Sequence, residues 1–234
     1  MSRDQEILSG IGFVFVEAGS VNMGTKVPID CPIEGKRINE WYRATHCVEA
    51  FWVNKYCVSN AEFEQFNPKH KRNPISSRNR DPVTDVTYHE AISYCSWLGD
   101  LYGSSFDLPT EPEWTYAGAP SGWMYPYKQG PKPYRGKANC HAEDIGKTVE
   151  VDDGRFGTNH LGLYHIVGNV QEMTKGVYRT PAGAYGSTSD GSYYIALGGG
   201  DYGHCLYATR IVSRFIHDIA DRSTRLGFRL IARV

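Results

Sequence analysis

The chain has 234 residues and a formal net charge of -1, with 22% charged residues and 25 glycines. A charge balance so close to zero gives no long-range field for nucleic acid or an acidic lipid surface, so we expect neither as a partner. No run of 18 apolar residues occurs, and the opening MSRDQEILSGIG carries charges of both signs. We therefore expect no membrane span and no signal peptide, and a cytoplasmic or virion-associated location.

Short β-type runs dominate the first quarter of the chain. The run GFVFVEAGSVNMG alternates apolar and polar residues and is rich in β-branched and aromatic types. This alternation predicts a hairpin of two strands joined by a Gly-Ser turn. A further strand is predicted within HCVEAFWVNKYCV.

Three helix starts carry the same signature, a Ser or Thr followed three residues later by Glu. These capping boxes satisfy free amide donors of the first turn and so predict helix N-termini. The pairs are Ser59 with Glu62, Thr87 with Glu90, and Thr110 with Glu113. We expect the first helix to end near Phe66, the second to end at Gly103, and the third to accommodate Pro112 in its first turn. The second helix carries one apolar stripe, formed by Ala91, Tyr94, Cys95, Leu98 and Leu101.

The remaining segments indicate loops and short strands. Residues 67–82 form a basic, Pro- and Asn-rich loop, residues 120–160 are loop-like, and SYYIALGGG and LGFRLIARV are of strand type. The basic loop contains no aromatic residue, which favours a solvated loop over a nucleic-acid contact. No repeat and no linker interrupts the chain, so we expect one domain over residues 1–234.

The six cysteines are widely spaced and form no C-x-x-C motif, which argues against a zinc cluster. We expect reduced thiols. The alternative is a disulfide among Cys31, Cys47 and Cys57.

Six segments, in order along the chain, resemble the formylglycine-generating-enzyme (sulfatase-modifying factor) family. They are FVEAGSVNMGT, CVEAFWVNKYCVSNAEFEQF, DPVTDVTYHEAISYCSWL, FDLPTEPEWTYAG, NHLGLYHIVGNVQEM, and LGGG together with LGFRL. The resemblance implies an α+β protein with a C-type lectin-like fold, in which two or three helices surround short antiparallel sheets and much of the chain is loop. Gly198 and Gly199 of its Gly-Gly signature would allow a positive φ or a close backbone approach.

The resemblance also implies a structural calcium ion as the candidate cofactor. Asn169, Val170 and Glu172 lie in the matching block, and hard cations prefer the carboxylate, amide and carbonyl oxygens that these residues provide. The alternative is that Asn169 caps a turn and Glu172 pairs with a core Arg.

The family's oxidase chemistry uses two cysteines, five residues apart, that bind copper and substrate. Twelve residues separate Arg214 from Gly227, the spacing that follows the family's Cys-Ala-Ala-Arg run. On this alignment the two cysteine positions fall on Leu206 and Ile211, which cannot ligate copper or form a thiolate. Cys205 lies one residue from the first position, so a shift of the alignment could supply one cysteine but never two. We therefore expect no catalytic residue here and no enzyme.

The composition of the last quarter points to binding instead. Residues 176–234 contain no Lys, Glu, Gln, Met or Trp, whereas residues 1–175 contain 36 of them. For a uniform composition, the chance of this is on the order of one in a million. The five missing types are those that adenine randomisation of Asn codons cannot produce, as in the variable proteins of diversity-generating retroelements, which form a branch of this lectin-like fold. Asn itself is absent from the segment, and Asp201 or Tyr202 stands where the family signature has Trp.

The leading hypothesis is therefore a ligand-binding protein with a variable region at about residues 195–234 and an unknown protein or surface ligand. Large aromatic and oriented polar side chains suit such contacts. The predicted ligand-binding residues are Asp201, Tyr202, Gly203, His204, Leu206, Tyr207, Ile211, Phe215, Ile216, His217 and Ile219. They alternate with fixed family residues, namely Gly198, Gly199, Arg214, Gly227, Phe228 and Arg229.

Two alternatives remain open at this point. One is a fixed, non-catalytic lectin-fold module. The other is an enzyme, either an oxidase of the resembling family or a catalyst built from general acids and bases. The available acid and base residues are His204, His217, Asp201, Asp218 and Asp221, whose spacing matches no known triad or metal helix.

Overall fold

The structure is a computed structural model of the chain. It describes residues 3–23, 44–119, 123, 125–126, 135–176, 178–179, 192–197 and 199–233. For residues 178–179, 192–197 and Tyr207, the backbone alone is described. Gly198 and Cys31 lie outside the described residues.

The helices confirm the capping boxes and add one further element. The helices are α1 (Arg3–Gly10), α2 (Asn60–Phe66), α3 (Tyr88–Tyr102) and α4 (Glu111–Gly118), and the 3-10 turns are His141–Glu143, Gly154–Phe156 and Leu206–Ala208. All three predicted boxes are formed, and Gly103 ends α3 in the left-handed conformation with φ 69°. Helix α1 was not predicted, because only Leu8 of its residues is buried. The predicted stripe of α3 is wrong at Leu101, which is exposed.

The strands of the described residues form three sheets. They are β1 (Phe13–Val16), β2 (Gly19–Met23), β3 (Ala44–Val48), β4 (Phe51–Cys57), β5 (Ser105–Asp107), β6 (Gln171–Met173), β7 (Tyr178–Arg179), β8 (Ser192–Leu197), β9 (Phe215–Asp218), β10 (Leu226–Gly227) and β11 (Arg229–Arg233). The first sheet has the order β1-β4-β11-β5, the second has the order β10-β6-β8-β7 with β9 paired to β8, and β2 pairs with β3. Most pairs are antiparallel; β10 and β6 are parallel.

The predicted hairpin is wrong. Both of its strands form, but β1 pairs with β4 and β2 pairs with β3, so they belong to different sheets. The predicted strand after it is likewise split into β3 and β4. Alternation identifies a strand without identifying its partner, because pairing depends on residues far away in sequence.

Two large groups of buried side chains lie on either side of the first sheet. Helix α3 packs on one group with Phe63, Leu108 and Phe228, and Trp114 of α4 lies in the other group with Ile211 and Ile231. Each group therefore combines side chains from the first sheet, from the helices and from the C-terminal segment. Ile211 thereby holds the 199–214 segment against the first sheet and α4.

The charged loop at residues 67–82 is held by ion pairs within the protein. Arg72 lies 2.5 Å from Glu64, and Arg80 lies 2.7 Å from Asp152. Arg78 pairs with Asp81 at 2.7 Å. Three of its cations are therefore neutralised locally.

The described cysteines carry free thiols, namely Cys47, Cys57, Cys95, Cys140 and Cys205. Among the described residues, no helix has both the length and the apolar character needed to cross a membrane.

Candidate ligand-binding site

A turn of glycines directs the chain into the candidate site. Gly199 and Gly200 adopt φ values of 54° and 73°, in the left-handed region that favours glycine. A Cβ on Gly199 would lie 2.6 Å from Val167 Cγ1 and 2.9 Å from the amide nitrogen of Arg210. The backbone can therefore turn here only with glycine, as the sequence predicted for this residue.

The turn places the carboxylate of Asp201 inside the protein, where its exposed fraction is 0%. It accepts hydrogen bonds from Gln171 Nε2 at 2.7 Å and from the Gly203 amide at 2.8 Å. His204 Nδ1 lies 2.7 Å from the same carboxylate. Burial favours the neutral acid, but these donors outweigh it and hold the pKa of Asp201 below its ordinary value.

Gln171 extends this network to the edge strand β9. Its amide nitrogen donates to Asp201, so its Oε1 accepts from His217 Nε2 at 2.8 Å. Burial lowers the pKa of His217, although Asp221 acts in the opposite direction. The His204 ring also contacts the ring of Phe215, with centroids 4.8 Å apart. One continuous polar and aromatic network therefore joins the 201–204 turn to β9.

A second set of contacts joins the turn to the residues before β10. The hydroxyl of Tyr202 lies 3.2 Å from Thr224 Oγ1. The guanidinium of Arg225 lies over the Tyr202 ring, 5.6 Å from its centroid, and 3.6 Å from the Asp201 carboxylate. A Cβ on Gly203 would meet this guanidinium at 2.8 Å. Arg225 is therefore packed between the turn and the solvent.

The structure brings together six of the predicted ligand-binding residues and separates others. The network contains Asp201, Tyr202, Gly203, His204, Phe215 and His217. Ile216 points away from it and is 50% exposed, and Leu206 and Ile219 are partly buried. The side chain of Tyr207 lies outside the described residues.

Three predicted contact residues are corrected by their burial. Asp201 and Ile211 are 0% and 1% exposed, and Tyr202 is 7% exposed. Ile211 packs against Gly118 of α4, where a Cβ would lie 2.9 Å from its Cδ1. The set of residues that a randomised codon can encode gives no information on which way a side chain points. In this structure the three side chains are buried and cannot touch a ligand directly.

The two family cysteine positions carry apolar side chains with structural roles. Leu206 begins the last 3-10 turn, and Ile211 lies in the core. Cys205 precedes that turn as its N-cap residue. Within the described ranges, no group of three or more His, Cys, Asp or Glu side chains is arranged to hold a metal ion.

The predicted calcium ligand Glu172 instead pairs with a core Arg. Its exposed fraction is 0%, and its two oxygens accept four hydrogen bonds. The donors are Trp114 Nε1 at 2.7 Å, Arg229 Nε at 3.0 Å, Arg229 Nη2 at 2.9 Å and Cys57 Sγ at 3.3 Å. Burial raises the pKa of the Cys57 thiol well above its ordinary value, so it keeps the proton that it donates. Four donors fill the lone pairs of a carboxylate, and none remains for a cation.

Asn169 and Val170 are also used internally. Asn169 adopts a φ of 68°, and its Oδ1 accepts from Asn139 Nδ2 at 3.0 Å and from the Val149 amide at 2.9 Å. Val170 packs with Cys57 in a small buried group. The calcium prediction at Asn169, Val170 and Glu172 is therefore corrected, and the alternative of a turn-forming Asn and a paired Glu holds.

Sequence reasoning missed Gln171 and Arg225. Gln171 lies between Val170 and Glu172 in the segment NHLGLYHIVGNVQEM, and nothing in that segment marked it as a site residue. Arg225 lies in an irregular segment, where no periodicity indicates which way a side chain faces. Its proximity to Tyr202 depends on packing between segments that are distant in sequence.

The fold, with the buried Glu172–Arg229 pair at its centre, is of the C-type lectin-like, formylglycine-generating-enzyme architecture. The chain belongs to the sulfatase-modifying factor enzyme 1-like domain family, whose model matches residues 2–234. It is 31% identical over 159 residues to the inactive C-alpha-formylglycine-generating enzyme 2 of Mus musculus, covering 63% of this chain and 48% of that protein. It is 30% identical over 225 residues to the formylglycine-generating enzyme of Mus musculus, covering 68% of this chain and 56% of that protein. The chain thus spans about half the length of these relatives.

Solved structures share the fold at lower sequence identity. PvdO from Pseudomonas aeruginosa superposes with a TM-score of 0.73 at 22% identity, over 95% of this chain and 94% of that one. Variable protein 1 of Treponema denticola superposes with a TM-score of 0.75 at 18% identity, over 95% of both chains. These likenesses establish the fold.

Proposed function

We propose that this protein is a non-catalytic ligand-binding protein and that its C-terminal region, about residues 195–234, is diversified by a retroelement. The observation that carries the proposal is the absence of Lys, Glu, Gln, Met and Trp from residues 176–234. These are the residue types that randomised Asn codons cannot encode. A ligand would contact the surface around the 201–204 turn and β9.

The loss of both cysteine positions supports a binding role over oxidase chemistry. Leu206 and Ile211 offer no thiolate, and Ile211 is enclosed in the core. Replacing Leu206 and Ile211 by cysteines would not restore an accessible pair, because the Ile211 position is buried. One mouse relative is itself named an inactive formylglycine-generating enzyme, which supports a role without this activity.

The ligand surface that remains is smaller than the predicted set. Its members are Ile216, which is exposed, and six partly buried residues, namely Gly203, His204, Leu206, Phe215, His217 and Ile219. The buried side chains of Asp201 and Gln171 orient His204 and His217 through the hydrogen bonds described above. Such a surface combines exchangeable contact groups with a fixed support, which lowers the entropy lost on binding.

Formylglycine generation is the competing function, because several curated relatives at about 30% identity carry that enzyme's name. The test is incubation of the purified protein with copper, oxygen and a peptide containing Cys-x-Pro-x-Arg, followed by mass spectrometry of the peptide. The formylglycine-generating enzyme of Streptomyces coelicolor is the positive control. We expect no aldehyde from this protein while the control converts the peptide. Aldehyde formation above the level of a heat-denatured sample would refute the proposal.

A further inference from the structure

Arg225 is a surface cation whose position is fixed by the candidate site. Its side chain is 47% exposed, yet it lies against the Tyr202 ring and in the space left open by Gly203. Cation–π contact of this kind restricts a guanidinium without using its N–H donors. An arginine held in one place loses less conformational entropy when it binds a partner.

The donors of this guanidinium are not consumed by the protein. Asp201 lies 3.6 Å away, and its oxygens already accept from Gln171, Gly203 and His204. Among the described residues, the Arg225 side chain makes no hydrogen bond. Its charge is partly balanced by Asp201, and 47% of the side chain remains exposed.

Neighbouring cations differ in this respect. Arg222 is similarly exposed, at 51%, but it donates to Glu90 Oε1 at 2.9 Å and to the Asp85 carbonyl at 2.6 Å. Arg214 donates to Glu111 at 2.8 Å. One exposed guanidinium beside the Tyr202 ring suits a single carboxylate, whereas phosphate groups favour clusters of cations.

We propose that Arg225 is a fixed anchor of the ligand site and that the partner is a protein presenting an Asp or Glu side chain to it. This inference rests on the proposed binding function. Arg225 belongs neither to the predicted exchangeable set nor to the fixed family residues, and its packing against Tyr202 would supply one positioned contact beside the residues that vary. A guanidinium and a carboxylate match in planar, bidentate geometry.

The experiment is a selection from random peptides displayed through their C-termini, so that side chains are the only carboxylates offered. We expect the enriched peptides to share one acidic position. Changing that residue to its amide should weaken binding to the wild type about tenfold, the effect of one hydrogen bond to a charged group. In Arg225→Met the acid and amide peptides should bind within about twofold of each other. In the matched control Arg222→Met the tenfold difference should persist.

A second variant tests the positioning without removing the charge. Gly203→Ala places a Cβ where the guanidinium now lies, and the flexible arginine must move. We expect weaker binding of the acidic peptide with an unchanged urea midpoint. Enriched peptides with no shared acidic position, or an acid-to-amide difference that survives Arg225→Met, would overturn the anchor while leaving the binding function standing. Failure of the wild type to enrich any peptide would overturn both.

Discussion

Replacing Glu172 by Gln tests the buried pair at the centre of the fold. The Arg229 side chain is 0% exposed and uses all five N–H donors, on Glu172 and on the carbonyls of Asn54, Lys55 and Tyr164. A glutamine keeps the shape but offers one acceptor oxygen, and its amide group would face other donors. The guanidinium would then remain buried with an uncompensated charge.

The expected loss is large because neither partner reaches solvent. Breaking a buried ion pair by removing one member costs about 3–5 kcal/mol, against a total of about 5–15 kcal/mol for a folded domain. The matched control is Glu150→Gln, since Glu150 is 41% exposed and lies 3.6 Å from Arg78. Exposed pairs of this kind contribute less than about 1 kcal/mol.

The assay is urea unfolding followed by tryptophan fluorescence, with and without calcium. We expect Glu172→Gln to lower the free energy of unfolding by the larger amount and Glu150→Gln by the smaller one. The difference between wild type and Glu172→Gln should be the same in calcium and in a calcium chelator. A loss no greater than that of the control, or one present in calcium alone, would show that Glu172 is not the structural partner described here.

Three further perturbations test other parts of the structure. Burial lowers the pKa of His165 to about 4 from 6.5, so the unfolded state takes up the proton first and stability should fall as the pH drops between those values. His165→Asn, which tolerates the local φ of 47°, should remove about 3 kcal/mol of that pH dependence in urea titrations at pH 7 and pH 4; an unchanged slope would contradict the burial. Ile211→Ala should cost about 3 kcal/mol and Ile216→Ala less than about 0.5 kcal/mol in the same assay, and equal losses would argue against their different burial. Gly168→Ala should lower the thermal midpoint far more than Gly162→Ala: both have positive φ, but only Gly168 would place a Cβ 2.6 Å from the Asn139 carbonyl oxygen; similar shifts would refute the close approach.

Local chemistry made part of the fold predictable. Each Ser or Thr with its Glu partner fixes a helix start through groups three residues apart, so α2, α3 and α4 followed from the sequence. The hairpin prediction failed because β1 finds its partner in β4, across a long stretch of chain. The same limit explains the split of the next strand into β3 and β4.

The candidate site was likewise predictable from the sequence only in part. The spacing between Arg214 and Gly227 placed Leu206 and Ile211 at the family's cysteine positions, because that comparison needs no geometry. The inward direction of Asp201 and the exposed guanidinium of Arg225 could not be predicted. Both depend on how the 199–204 turn packs against Gln171 and Tyr202, which no local pattern encodes.

If the C-terminal region is a diversified binding surface, the DNA around the gene must carry the means of diversification. We expect a reverse-transcriptase gene nearby and a near-copy of codons 195–234 whose mismatches fall at adenines of the copy. The mismatched codons should include those of His204, Phe215, Ile216 and His217, and should leave those of Gly199, Phe228 and Arg229 unchanged. Absence of any near-copy, or mismatches spread over all four bases, would refute diversification of this region.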